Sequence, residues 1–165
     1  MSVKDTLIDQ FTACYDENHW FVATRNAVDG VTAEQALWKP SGFDNSIWQI
    51  VSHLSFYLYA YLERFRGVDY EYPTDNNDET FSADNQDAEQ GWEKALTSFD
   101  TIMTEFREEM SAATDSKFES PVSESNRVKW RTQIAHINAH TAYHCGQILL
   151  LRKLQGSWDK QQGVS

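Results

Sequence analysis

Apolar positions recur at three- and four-residue spacing in four stretches of the chain, the period of 3.6 residues per turn that predicts amphipathic α-helices. The first predicted helix covers residues 3 to 28 and carries Leu7, Phe11, Cys14, Asn18, Phe21, Val22 and Arg25 on one side. Ser2 suits its N-cap and Gly30 its stop. Residues 29 to 45 form a connection in which Thr32-Ala33-Glu34-Gln35 reads as a capping box for a short helical turn, followed by Pro40 and Gly42. The second helix starts at Ser46, with Ile47, Val51, Leu54, Leu58, Tyr61 and Phe65 as its stripe and Gly67 as its stop.

Residues 68 to 87 are acidic, rich in Asn and interrupted by Pro73, which predicts an irregular crossover. The third helix, residues 88 to 110, shows Trp92, Leu96, Phe99, Met103, Phe106 and Met110 at regular spacing. Its other face holds Glu89, Glu93, Asp100, Glu105, Glu108 and Glu109 and reads as a solvated side. Residues 112 to 129, with Pro121 and several serines, lead into a fourth helix over residues 130 to 154, closed by Gly156. The pattern contains no strand, so the fold class expected is all-α, a four-helix bundle with long crossover connections, as a single domain over residues 1 to 165.

The fourth helix carries the chemistry. Three of the five histidines, His136, His140 and His144, recur there every four residues. An i, i+4 pair sets two imidazoles one turn apart on nearly one face, with about 5–6 Å between Cβ atoms, so both can reach one ion. The apolar stripe of this helix is Trp130, Ile134, Ile137, Thr141, Ile148 and Leu151. Projected at about 100° per residue, His144 lies within about 40° of the stripe's centre, His140 about 75° away and His136 beyond about 100°. His140 and His144 are therefore the inward pair, and His136 is a flanking or exposed residue, or one that supports the ligands from behind. On the second helix His53 sits at the stripe's edge beside Ile50 and Tyr57, where it can supply the third ligand. Three neutral imidazoles leave a coordination position free, as in catalytic zinc sites.

The competing reading of each histidine is a hydrogen-bonded packing residue, and His19, on the flank of the first helix, keeps it, with a ligand role as the lesser alternative. Tyr57 and Tyr143 are candidates for hydrogen bonds beside the ion or for core packing.

Composition narrows the function classes. The chain has 14 Lys and Arg against 25 Asp and Glu, a net charge of -11, which disfavours nucleic-acid partners. The most apolar stretch, residues 47 to 62, is broken by Gln49, Ser52, His53 and Ser55, so no membrane role is expected. The N-terminus lacks a charged-then-apolar signal, and the two cysteines, Cys14 and Cys145, fall inside helical patterns, which suits a reducing cytoplasm. Both read as small packing hydrophobes, with a reactive thiol at Cys145 as the alternative. Gly-x-Ser-x-Gly, phosphate-loop and dinucleotide motifs are absent from the sequence. Leu149 and Leu150, off the core stripe, point to a subunit contact.

The segments Ser46-Ile47-Trp48-Gln49-Ile50-Val51-Ser52-His53, Arg66-Gly67, His140-Thr141-Ala142-Tyr143-His144-Cys145-Gly146-Gln147-Ile148 and Leu151-Arg152-Lys153 together resemble the DinB-like superfamily. The resemblance spans most of the chain. It implies a four-helix bundle with a divalent transition metal, nickel, zinc, manganese or iron, on His53, His140 and His144, and Gln147 as a residue of the closing motif beside them. It also implies a homodimer, and metal-dependent transfer or isomerisation with low-molecular-weight thiols such as bacillithiol or mycothiol. Cys145 departs from the family pattern, which more often has a basic residue or alanine there. The leading expectation is a metal-dependent thiol S-transferase acting on a small-molecule substrate. The alternatives are a metal-dependent hydrolase and a non-catalytic metal-binding stress-response protein.

Overall fold

Side-chain caps set where the helices begin. Ser2 with Asp5, Thr32 with Gln35 and Ser46 with Gln49 each close a reciprocal capping box, which satisfies backbone donors that the first turn leaves unpaired. The computed structural model describes residues 2–84 and 86–162. Among these, α1 runs over Val3–Tyr15, α2 over Thr24–Val28, α3 over Ala33–Leu37, α4 over Ile47–Phe65, α5 over Ala88–Ala112, α6 over Asp115–Glu119 and α7 over Trp130–Leu154. Gly67 (φ 92°) and Gly156 (φ 75°) end α4 and α7 in the left-handed conformation that glycine adopts without a Cβ penalty.

The long helices α1, α4, α5 and α7 make the bundle. α4 packs on α5 and α7, and α1 packs on the same two, so around the bundle the order is α1, α5, α4, α7. The chain thus passes diagonally from α1 to α4 through α2 and α3, and diagonally again from α5 to α7 through α6. Apolar stripes meet in a core that includes Phe11, Leu54, Leu58, Phe65, Phe99, Met103, Phe106, Trp130, Ile134 and Ile148. Phe65 anchors one end, its ring edge-on to Trp130 at 4.9 Å and tilted against Phe106 at 5.7 Å. No helix among the described residues is long and apolar enough to cross a membrane.

Several expectations need correction. The helix predicted over residues 3 to 28 is two helices, α1 and α2, with a break at 16–23. The Asn18 carboxamide oxygen accepts from the Ala23 N–H and from Asn26 Nδ2, which replaces helical pairing by a local side-chain bond. The break lets Val22 and Ala23 enter the core, and the Val22 carbonyl accepts from Cys145. His19 falls in this break and is exposed, so it is not a packing residue. The crossover after α4 holds a 3-10 turn, Asn77–Thr80, and the segment before α7 holds α6 and an antiparallel bridge between Pro121 and Lys129. The outer face of α5 is not purely solvated: Glu105 and Glu109 pair with Arg66 at 2.9 Å each. Of the two leucines expected off the core, Leu149 packs against it and Leu150 is exposed.

Candidate metal centre

His53 lies in the first two turns of α4, behind the Ser46 cap, and His140 and His144 lie mid-way along its neighbour α7. Helical phase turns all three toward one place. His53 and His144 are buried and His140 is half-buried. His140 Nε2 is 3.1 Å from His53 Nε2 and 3.1 Å from His144 Nε2. One ring nitrogen from each of the three lies within 4.8 Å of the others. Two bonds of about 2.1 Å to a shared ion, at angles of about 90° to 110°, separate their donors by about 3.0–3.4 Å. Two of the three pairs sit at that separation and the third lies within 4.8 Å, so the three histidines are placed to hold a divalent transition-metal ion.

The hydrogen bonds behind the rings set which nitrogens carry protons. His53 Nδ1 is 2.6 Å from Thr80 Oγ1, and that hydroxyl donates to the Asn77 carbonyl at 2.6 Å. With its single proton committed, Thr80 accepts from His53 Nδ1–H, which leaves a lone pair on Nε2. His144 Nδ1 is 2.6 Å from the Gln147 carboxamide oxygen, an acceptor only, so this ring also carries its proton at Nδ1. Gln147 is oriented in turn by donating through Nε2 to the Tyr143 hydroxyl at 3.1 Å. Two lone pairs thus face His140 Nε2, and one nitrogen can donate to only one of them. A cation at the common point engages all three.

Burial, then the neighbouring His144 and His140, hold His53 down at about 3. Burial and then His144 hold His140 at about 4, and burial lowers His144 against the opposing bond from Gln147. All three rings are neutral at neutral pH, the state in which imidazole binds metal.

The three rings form one face of a cavity of about 490 Å³, a size suited to a small molecule. Phe81 stacks flat on His53, with centroids 3.9 Å apart and planes 9° apart. Tyr57 sets its ring edge against His53 at 5.0 Å and donates to Asn77 Oδ1 at 3.1 Å. His136 lies exposed on the cavity wall, in keeping with its phase, while Tyr143 is 63% exposed with its ring 5.0 Å from His144. Cys145 is buried and donates to the Val22 carbonyl at 3.0 Å, and burial pushes its thiol up to about 11. That supports packing over reactivity, and Cys14, pushed up to about 12, is alike.

Sequence reasoning missed Thr80, Phe81 and Asn77, all on the crossover. The available signal was Phe81, a large apolar residue in an acidic stretch, and the Thr just before it.

Two outcomes follow from this geometry. Thr80→Val keeps the shape but removes the acceptor for His53 Nδ1–H, and metal affinity measured by chelator competition falls about 10–100-fold, while Thr80→Ser stays near wild type. In the metal-free protein the folded rings resist protons that the unfolded chain takes up below its ordinary value of 6.5. Stability is therefore fully present above about pH 6.5 and is lost as pH falls toward 4 and 3. Thermal melts across that range show the decline, and His140→Gln makes it shallower.

The DinB superfamily family model matches residues 17–148, a span that holds all three histidines and both helices bearing them. No curated protein and no solved structure matches the chain. The match over most of the chain, together with an all-helical bundle that brings His53, His140 and His144 together, shows that this protein belongs to the DinB superfamily.

Proposed function

We propose that the protein is a metal-dependent enzyme that transfers a thiol to a small-molecule electrophile, with His53, His140 and His144 as the ligands of a divalent ion. The observation that carries this reading is the set of three converging Nε2 atoms, two of them held as lone-pair donors by Thr80 and Gln147, on the open face of a cavity. A divalent ion held there supplies Lewis acidity, lowering the pKa of a thiol that reaches its free side so that thiolate is present at neutral pH.

The protein's own residues do the rest. Thr80 and Gln147 keep the imidazoles aimed, and Phe81, stacked on His53, keeps water from one side of that ring. Tyr57, whose phenol burial raises and so keeps protonated, holds Asn77 and with it the 3-10 turn that carries Thr80. Nickel, zinc, iron and manganese are all compatible with a three-imidazole set that leaves positions free.

Metal-assisted hydrolysis is the second reading. It calls for a base to take a proton from water, and no Asp or Glu is among the described residues lining the cavity. A purely structural ion is enclosed by protein ligands, usually four, whereas these three imidazoles face open space.

The test is thiol conjugation by metal-loaded protein with a panel of electrophiles. The reading expects turnover that His53→Ala and His140→Ala each reduce by more than about 100-fold in folded protein. Absence of conjugation across the panel, or full activity in the variants, overturns it.

A further inference from the structure

Beside the imidazoles, the cavity is lined by Tyr57, Leu58, Tyr61, Phe81 and Ile137. Apart from the imidazoles of the triad, its polar groups are the phenols of Tyr57 and Tyr61, the neutral amides of Asn77 and Gln133, and the ring of His136. None of the described lining residues is Asp, Glu, Lys or Arg. Arg64 packs behind this wall, its guanidinium 5.4 Å from the Tyr61 ring and 4.3 Å from the Tyr72 ring. Its Nε and Nη2 donate to the Tyr70 carbonyl and its Nη1 to the Tyr72 hydroxyl, so it is engaged with the crossover.

The crossover adds charge of one sign. Residues 68–80, which bring Asn77 to the cavity, contain Asp69, Glu71, Asp75, Asp78 and Glu79 and no Lys or Arg. Hydrogen bonds from Thr74 at 2.6 Å and Asn76 at 3.2 Å hold Glu79 below the usual carboxylate range. A ligand carboxylate remote from the ion would leave water for an aromatic and aliphatic wall without a cation, beside an acidic segment. Desolvation and repulsion both oppose it. An aromatic group meets the opposite situation, because the half-buried rings of Tyr57, Tyr61 and Phe81 line the cavity and favour stacked or edge-on contacts.

We propose that the thiol taken by this centre is uncharged apart from its sulfur and carries an aromatic or apolar group that contacts Tyr57, Tyr61 and Phe81. This rests on the metal and thiol reading above, and it names the substrate class of that site. The cavity, of about 490 Å³, gives such a molecule room beside its electrophilic partner.

The test uses the full chain loaded with cobalt(II), whose visible spectrum reports the ligand set and whose near-ultraviolet thiolate charge-transfer band reports thiol binding. Two probes share one thiol head: benzyl mercaptan and 4-(mercaptomethyl)benzoate, which differs by a carboxylate at the far end of the ring. The proposal expects benzyl mercaptan to bind roughly tenfold tighter or more. It also expects Gln133→Lys, which puts a cation in the wall, to narrow that gap by strengthening the carboxylate probe. Equal binding of the two probes, or preference for the benzoate, with a normal cobalt spectrum overturns the substrate class and leaves the metal centre standing. A folded Gln133→Lys protein with an unchanged gap counts against it as well. A thiol band absent for both probes overturns the thiol reading and this proposal together, and a cobalt spectrum indifferent to His140→Ala overturns the metal centre itself.

Discussion

Imidazole nitrogens whose lone pairs point at one spot in a desolvated corner repel one another unless a cation lies between them. In this bundle the lone pairs of His53 and His144 both face His140 Nε2 at 3.1 Å, where one proton can serve only one of them, and burial suppresses the further protonation that would relieve the conflict. The surrounding structure accepts this local conflict because it is braced from two sides. Gln147 fixes the His144 ring from within α7, and Thr80 fixes the His53 ring from the crossover. The arrangement stores its purpose in proton positions as much as in distances, since rings with their protons at Nδ1 can only offer Nε2 outward.

Long-range packing makes that bracing possible. The Ser46 capping box fixes where α4 starts and so the angular position of His53. The α4–α7 contact sets the distance to His140 and His144. The crossover is pinned at one end by Arg64, which stacks on Tyr72 and bonds the Tyr70 carbonyl, and near the site by Tyr57 on Asn77. Removing any one of these supports leaves the imidazoles in the chain but loosens the geometry that lets them act on a single ion.

The helical phase of α4 and α7 made the triad legible in the sequence, because burial of each histidine follows its angle from the apolar stripe: His144 buried, His140 half-buried, His136 exposed. Capping boxes at Ser2, Thr32 and Ser46 were legible for the same local reason. The break between α1 and α2 was not, since residues 16–23 keep a helical apolar pattern and only the tertiary demand to bury Val22 and Ala23, served by Asn18, overrides it. Thr80 and Phe81 were also hidden. Their partner His53 lies 27 residues away from Thr80, and no periodicity links a crossover to a helix. Gln147 could be placed near the ligands through its motif, but its proton-fixing role required the 2.6 Å contact to His144 Nδ1.

The claim on which the rest depends is that these three imidazoles share one transition-metal ion. Elemental analysis of protein purified without a histidine tag measures this directly. The account predicts close to one transition-metal ion per chain, reduced to background when His53, His140 and His144 are replaced together in a protein that still folds. Metal-free wild-type protein that takes up no ion on titration, or an ion retained by the triple variant, would contradict it.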